Sequence, residues 1–382
     1  MKKFTNINIP NFGNNHISIF SGAGGLDIGL HKAGWNTVVA IEKDPDCLAT
    51  LNTNKCDLQG GKNPFFTFDD VNNFTNENLQ EIKQTLNNVH MSDPTKEINL
   101  VSGGTPCQPF STAGKREGLN DPRGQLFFKF ANIIEMVRPR FFILENVRGL
   151  TSASLPNDEP GSVLKKVIYP TFQKMGYELA AGLLDARNYG VAQSRTRFIL
   201  IGSYEHDFGC WPNIMPIEEL VPPTTEEQTG SNEWLTLKDV ISEEHLRYKS
   251  NDEYLSYSSA RADVYKQVPP GQNWRYFQDE EYTKAIMGGA YKSTGGRVGF
   301  WRRLSWDKWS PTLTTSPIQK ATGFCHPDEV RPLTVQEYQL IQGFSKFYVF
   351  QGNTASKYRQ IGNAVPVQLG ESIGLALLKI VG

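Results

Sequence analysis

The kind of fold is indicated by one stretch, Leu100-Val101-Ser102-Gly103-Gly104-Thr105-Pro106-Cys107-Gln108-Pro109-Phe110-Ser111. It begins as a short apolar strand, breaks at two glycines and then presents a thiol between two prolines. Open α/β sheets carry their chemistry where a strand ends in such a turn, and the fixed φ of proline sets the direction of the thiol. Free cysteines are usually core residues. Cys107 is a candidate nucleophile because of the glycines and prolines around it and the motifs elsewhere in the chain.

Around this stretch, short apolar β-forming runs alternate with helical patterns as far as about residue 202. This alternation predicts a parallel sheet with helices on its faces. The predicted strands are Ile17–Phe20, Thr37–Ile41, Ile98–Ser102, Phe141–Leu144, Tyr177–Leu184 and Phe198–Ile201. The predicted helices are Leu26–Ala33, Leu126–Val137, Val163–Met175 and, near the end of the chain, Val367–Val381, whose apolar residues share one face.

The composition and the periodicity of the sequence change after residue 202. Residues 203–330 hold six of the seven tryptophans, many turn-forming residues and few periodic segments. The run Pro222-Pro223-Thr224-Thr225 is typical of a surface linker. We therefore predict a second domain, irregular or β-rich, inserted before the chain returns to the first.

Composition narrows the classes of protein. At 382 residues the chain exceeds one compact domain. Its net charge of -1 excludes a general polycation, so any nucleic-acid contact needs a local basic face. The five scattered cysteines form no C-x-x-C pair and no metal-ligand spacing with histidine, which disfavours a zinc site or a disulfide framework. With neither a signal peptide nor a membrane span in the sequence, we expect a soluble protein of the reducing cytoplasm.

A glycine-rich corner follows the first predicted strand, in Ser21-Gly22-Ala23-Gly24-Gly25-Leu26-Asp27. Glycines let backbone approach a ligand, and Glu42, about 20 residues on, ends the next strand where an acid can accept a ribose hydroxyl. Asp27 stands where a dinucleotide motif has its third glycine, so a nucleoside cofactor without a pyrophosphate fits better. A tight strand-to-helix turn without a ligand is the alternative.

Together these features resemble the DNA (cytosine-5) methyltransferase family of the bacterial restriction–modification type, and the resemblance covers most of the chain in the family's order. The matching segments are Phe20-Ser21-Gly22-Ala23-Gly24-Gly25, Glu42, Phe68-Asp69-Asp70-Val71, Gly104-Thr105-Pro106-Cys107-Gln108, Leu144-Glu145-Asn146-Val147, Gln193-Ser194-Arg195-Thr196-Arg197, Arg331-Pro332-Leu333-Thr334-Val335-Gln336-Glu337 and Gln360-Ile361-Gly362-Asn363-Ala364-Val365-Pro366.

The resemblance implies a methyltransferase fold, a mixed and mostly parallel sheet with helices on both faces, over residues 1–203 and 350–382. A smaller, irregular target-recognition domain with a hinge would occupy residues 204–349. The implied cofactor is S-adenosylmethionine, with S-adenosylhomocysteine as product and no metal. The implied cofactor-binding residues are Phe20, Ser21, Gly22, Ala23, Gly24, Gly25, Leu26, Glu42, Asp70, Val71, Pro106, Leu126, Asn363, Ala364 and Val365.

The resemblance also implies four catalytic residues, Cys107, Glu145, Arg195 and Arg197. A thiolate added to carbon 6 of cytosine makes carbon 5 nucleophilic, which is covalent catalysis by an activated cysteine. Glu145 would hold N3 and the 4-amino group and share a proton. Arg197 would contact O2, and Arg195 would brace Glu145 or the loop.

Because the reacting atoms are stacked inside duplex DNA, the cytosine has to rotate out. Residues 111–124 have the glycines and cations of a lid for this step, although a solvated loop is the alternative. Thr312-Leu313 is a plausible match to the Thr-Leu pair of the recognition domain. The predicted DNA-binding residues are Gln108, Ser111, Lys115, Arg116, Arg123, Arg297, Arg302 and Arg303.

Three other functions compete with a DNA methyltransferase. An RNA (tRNA) cytosine-5 methyltransferase would share the catalytic core, but the large variable region favours duplex DNA. A catalytically silent DNA-binding protein is disfavoured by the intact Cys107, Glu145 and Arg197, and a nucleotide oxidoreductase by the glycine spacing. We expect a monomer that acts on double-stranded DNA, with a cognate restriction endonuclease working separately and no membrane association.

Overall fold

The computed structural model describes residues 14–59, 65–89, 97–105, 125–224, 234–242, 253–292 and 297–381. The strands are β1 (Asn15–Ile19), β2 (Asn36–Ile41), β3 (Phe66–Phe68), β4 (Ile98–Gly104), β5 (Phe141–Val147), β6 (Glu178–Asp185), β7 (Thr196–Ser203), β8 (Ile214–Pro216), β9 (Arg302–Arg303) and β10 (Phe324–Cys325). The helices are α1 (Gly25–Ala33), α2 (Pro45–Thr53), α3 (Cys56–Gln59), α4 (Asn76–Val89), α5 (Gln125–Val137), α6 (Tyr169–Lys174), α7 (Ile217–Leu220), α8 (Leu237–Ile241), α9 (Ser259–Gln267), α10 (Glu280–Met287), α11 (Val335–Ile341), α12 (Thr354–Asn363) and α13 (Val367–Val381).

Within the described residues, eight strands form one sheet in the order β3-β2-β1-β4-β5-β7-β6-β8. The strands from β3 to β5 are mutually parallel, whereas β7 runs antiparallel to both of its neighbours. Because parallel strands end at the same edge, the carboxyl ends of β1, β2, β4 and β5 lie side by side. The predicted mixed, mostly parallel sheet with helices is confirmed.

All six predicted strands are present, each within a few residues of the predicted bounds. β3 and β8 were not predicted, because they have only three residues each and therefore little periodicity. The predicted helix Val163–Met175 begins as a π-helical turn, Leu164–Ile168, before α6. Pro170 accounts for the change, because it has no N–H for the regular helical ladder.

The closing helix α13 packs against α1, and both cover the sheet. Leu30 and Leu377 are fully buried in one cluster with Trp35, whose indole donates to the carbonyl of Gly374 over 3.1 Å. One helical run among the described residues, Thr354–Val381, is long and apolar enough to cross a membrane, with a mean hydropathy of 1.5. Since 61% of its most apolar window is buried inside the protein, its apolar face is explained by the core.

The segment after β8 has little sheet. Among its described residues, β9 and β10 pair as a two-stranded unit of two residues each, and short helices supply the other regular elements. For the described residues of this segment, the β-rich alternative is therefore wrong and the prediction of an irregular segment is confirmed. Glycine, proline and other turn-forming residues keep its strands short. β8 joins the main sheet beyond residue 203, and the division into domains stays a prediction.

Candidate active site

A cavity of about 600 Å³ opens at the carboxyl ends of β1, β2, β4 and β5, a size typical of cofactor pockets. It is lined by twelve of the predicted cofactor-binding residues, namely Phe20, Ser21, Gly22, Gly25, Leu26, Glu42, Asp70, Val71, Leu126, Asn363, Ala364 and Val365. Ala23 and Gly24 belong to the same loop but do not line the cavity, and Pro106 lies outside the described residues. The structure thus gathers segments from both ends of the chain into one pocket.

The glycine loop is shaped by two close constraints. A Cβ on Gly25 would lie 2.3 Å from the carbonyl oxygen of Val365, so only glycine lets the C-terminal segment close over the loop. Phe20 has a φ of 58°, a region that non-glycine residues avoid and that clusters at functional sites. Its amide is held by the carbonyl of Ile41 over 2.8 Å. The loop is therefore held in a fixed shape at the cavity wall.

Two acidic side chains from neighbouring strands face the same cavity. Glu42 accepts from the amide of Gly22 through Oε2 and from the amide of Asp44 through Oε1, each over 2.8 Å. Asp70 accepts through Oδ1 from the amide of Asn72 over 2.8 Å and from its side chain over 2.7 Å. Since each carboxylate oxygen has two lone pairs, both side chains are fixed in direction and still able to accept from a ligand.

Glu145 and Arg197 form an ion pair at the end of β5, with 2.9 Å between Nε and Oε1. Burial raises the pKa of Glu145, while the charges of Arg197 and then Arg195 oppose the rise. Gly104 ends the adjacent strand, and a Cβ there would lie 3.0 Å from Oε2 of Glu145. The glycine gives the carboxyl group room beside the strand that leads to Cys107.

Asn146 connects the ends of β4 and β5. Its side-chain amide donates to the carbonyl of Thr105 over 2.9 Å and to its hydroxyl over 3.1 Å. Asn146 is 2% exposed, so these bonds form away from solvent. They fix Thr105, after which come the residues outside the described structure, including the predicted Cys107, Gln108, Ser111, Lys115, Arg116 and Arg123.

Arg195 is buried and hydrogen-bonded to the backbone of two other parts of the chain. It is 1% exposed, and its guanidinium donates to the carbonyl of Leu313 over 3.1 Å and to that of Gly362 over 2.8 Å. Thr312 in turn donates its hydroxyl to the carbonyl of Ser194 over 2.6 Å. Its hydrogen bonds therefore tie the variable segment to α12, while the bracing of Glu145 or of the loop stays a prediction.

The three predicted DNA-binding arginines of the variable segment differ in their surroundings. Arg303 is 8% exposed and donates to five backbone carbonyls, those of His326, Pro327, Tyr265, Val268 and Asp328. Such burial does not favour the predicted DNA contact. Arg302 is partly exposed and lines a second cavity of about 250 Å³ together with Lys308. Arg297 lies in a 3₁₀ turn, Arg297–Gly299.

Some cavity residues were not predicted from the sequence. They include Ser18, Asp27, Ile41, Lys43, Asn72 and Ser102. The departure of Asp27 from the dinucleotide glycine pattern was a signal that it has another role. The remainder are strand-end or loop residues without a distinctive pattern, and only the meeting of strand ends brings them to the cavity.

A comparison with protein families matches residues 14–379 to the model described as C-5 cytosine-specific DNA methylase. The type II methyltransferase M.Sau96I of Staphylococcus aureus is 38% identical over 95% of this chain and 75% of the relative. M.Eco47II of Escherichia coli is 34% identical over 95% of this chain and 78% of the relative. The solved structure of S. pombe Dnmt2 methyltransferase has a TM-score of 0.61 at 16% identity, covering 96% of this chain and 98% of that one, which establishes a shared fold.

Proposed function

This chain belongs to the C-5 cytosine-specific DNA methylases, and we propose that it methylates carbon 5 of a cytosine rotated out of a short specific sequence in double-stranded DNA, with S-adenosylmethionine as methyl donor. The predicted family and the predicted enzyme class, DNA (cytosine-5-)-methyltransferase, are confirmed. The donor, the covalent route and the flipped base are the proposed parts.

One observation carries the proposal. A single cavity is lined at one side by the glycine loop, Glu42 and Asp70, and at the other by Glu145 and Thr105. Thr105 directly precedes Pro106-Cys107. A cofactor held by the first group therefore lies next to a buried acid and the start of the nucleophile segment, as a transfer between the two requires.

The residues fit a nucleoside cofactor. Glu42 has the position and fixed direction to accept ribose hydroxyls, and Asp70 stands at the next strand end to accept from the adenine amino group. Leu126 and Val71 supply apolar surface for the rings. The cofactor, when bound, supplies an electrophilic methyl group on sulfur and leaves as S-adenosylhomocysteine.

In the proposed reaction, the Cys107 thiolate adds to carbon 6 and forms an S–C bond. The electrons of the C5–C6 double bond become available at carbon 5 as N3 takes a proton from Glu145, whose raised pKa suits this donation. Arg197 holds the carboxyl group and contacts O2. After carbon 5 is methylated, it loses its proton to solvent, and the returning electron pair expels the thiolate. N3 then returns its proton to Glu145, which restores both the neutral base and the acid.

Two other cysteines are poorly suited to the nucleophile's role. Burial raises the pKa of Cys325 to about 11 and that of Cys47 further. Only the thiolate attacks, so a high pKa keeps a cysteine inert at neutral pH. Neither is therefore a better candidate than Cys107, whose motif directly follows the cavity residue Thr105 in the sequence.

The test is covalent capture. Duplex DNA containing 5-fluorocytosine at the recognition site, incubated with methyl donor, will form a complex that survives denaturation, because fluorine cannot leave as the carbon-5 proton does. Cys107→Ser is expected to form none, and Cys325→Ser to trap as wild type. Failure of the wild-type protein to trap, on DNA that it methylates, overturns the covalent route.

The substrate is tested by transfer of labelled methyl groups to duplex DNA and to tRNA. We expect labelled DNA only, and labelling of tRNA alone would favour the RNA enzyme. Bisulfite sequencing of DNA from expressing cells would then give the recognised sequence. We further propose a cytoplasmic monomer that acts as the modification half of a restriction–modification system, with its endonuclease a separate protein.

A further inference from the structure

Asp27 is a buried acid that the reaction described above does not use. It lies in the first turn of α1, is 1% exposed and lines the large cavity. Neither of its carboxylate oxygens has a hydrogen bond of normal geometry among the described residues, although the Ser18 side chain is near enough to lower its pKa. A buried acid in this condition is unstable as an anion, which points to a partner that arrives with the ligand.

We propose that Asp27 binds the ammonium group of the cofactor's methionine part. This assignment rests on the proposed function, since it requires S-adenosylmethionine in the cavity. An ammonium group has three N–H donors and a positive charge. It would therefore supply the hydrogen bonds and the countercharge that the carboxylate of Asp27 lacks.

The other polar groups of the cofactor have different partners. Glu42 and Asp70 are placed for the ribose and the adenine, and the sulfonium has to face Glu145, where the methyl group is used. A sulfonium also has no N–H to donate. The remaining cationic group is the ammonium. Among the described residues that line the cavity, the remaining carboxylate is Asp27, close to Ser18.

The electrostatics of the cavity agree with this assignment. Burial, with a smaller effect of the nearby Glu42 charge, raises the pKa of Asp27 to about 7, and the Ser18 hydroxyl opposes the rise. At neutral pH the cofactor-free protein therefore holds Asp27 partly protonated. A bound cation would favour the ionised form, so binding the ammonium releases a proton near pH 7.

Calorimetric titration with two probes tests the contact without any catalysis. One probe is S-adenosylhomocysteine, and the other is the analogue in which hydrogen replaces the α-amino group. Wild type should prefer the first by roughly 10- to 100-fold, the range for a hydrogen-bonded charge pair. Asp27→Asn, which keeps the volume, should bind both with similar affinity. An unchanged preference in Asp27→Asn would overturn the proposal.

Glu42→Gln is the matched control, because it removes another carboxylate from the same cavity. It should weaken both probes and leave their ratio as in wild type. If wild type binds S-adenosylhomocysteine but does not discriminate between the probes, Asp27 is not the receptor although the cofactor is right. If neither probe binds wild type, the proposed cofactor itself fails.

A second readout needs no variant. The affinity of wild type for S-adenosylhomocysteine should fall as pH is lowered from 8 to 6, because protonation of Asp27 competes with the ammonium. The amino-free analogue should lack this dependence. An affinity that instead falls as pH rises through 7 would mean that a neutral Asp27 donates a hydrogen bond, and would also overturn the proposal.

Discussion

Polar side chains have different tasks in two regions of the molecule. At the carboxyl edge of the sheet, acids such as Glu42 and Glu145 are held by one or two neighbours and face a shared cavity. In the irregular segment, residues 253–292 and 297–330, two arginines instead donate to several backbone carbonyls each. Arg303 donates to five of them, and Arg261 to those of Ile318 and Gln319.

The physical reason is the supply of backbone partners. In the sheet, strand ladders satisfy the carbonyls, and polar side chains at the strand ends remain available to a ligand. The irregular segment has few ladders, so its buried carbonyls need side-chain donors, and arginine has five. In a cation-rich, irregular segment, the number of arginines is therefore larger than the number that remain free to bind DNA.

The largest effect is expected at the sheet edge. Glu145→Gln keeps the shape but cannot donate a proton to N3, so kcat should fall roughly 10²- to 10⁴-fold. S-adenosylhomocysteine binding should stay near the wild-type value. Single-turnover methylation and calorimetry measure the two quantities. A mutant with normal kcat would remove Glu145 from the chemistry.

Two adjacent arginines test the irregular segment. Arg303→Ala leaves several buried carbonyls unsatisfied and should lower the free energy of unfolding by roughly 3 to 5 kcal/mol. Arg302→Ala should change it by less than about 1 kcal/mol but weaken DNA binding. Denaturant unfolding and DNA titration make the comparison. Equal stability of the two variants would contradict the structural role of Arg303.

A smaller effect is expected on the pH dependence of stability. The pKa of Asp27 is raised from 3.8 to about 7 in the folded protein, so the folded state holds a proton that the unfolded chain has lost. Stability of the cofactor-free protein should therefore fall by about 2 kcal/mol between pH 5.5 and 8. Urea unfolding of wild type and Asp27→Asn isolates this contribution, which the variant should lack. A difference between the two proteins that does not vary with pH would contradict it.

The smallest effect is expected where the two regions meet. Thr312→Val removes the 2.6 Å hydrogen bond to the carbonyl of Ser194 while keeping the side-chain shape. The free energy of unfolding should fall by about 1 kcal/mol, with cofactor affinity unchanged. Thermal unfolding with and without S-adenosylhomocysteine provides both values. A weakened cofactor affinity would mean that the contact between Thr312 and Ser194 also affects the shape of the cavity.

The motifs alone identified the family and most of the cavity wall, because glycine turns, acids at strand ends and short family motifs are local features of the sequence. They did not predict the surroundings of Arg195 or Arg303. The residue type is the same whether an arginine binds a backbone carbonyl or a DNA phosphate, so the sequence does not reveal its partner. Nor did they assign a role to Asp27, whose isolation depends on side chains from several strands.

The sequence by itself determined the order of the main strands and helices and the glycine corner, and it supplied the candidates for the reacting groups, because each depends on residues that are neighbours along the chain. Only the tertiary structure decided which polar groups share the cavity, which are satisfied by backbone and which are left without a partner. Those outcomes depend on burial and on contacts between residues hundreds of positions apart, such as Gly25 with Val365 and Arg195 with Gly362, which local patterns do not encode.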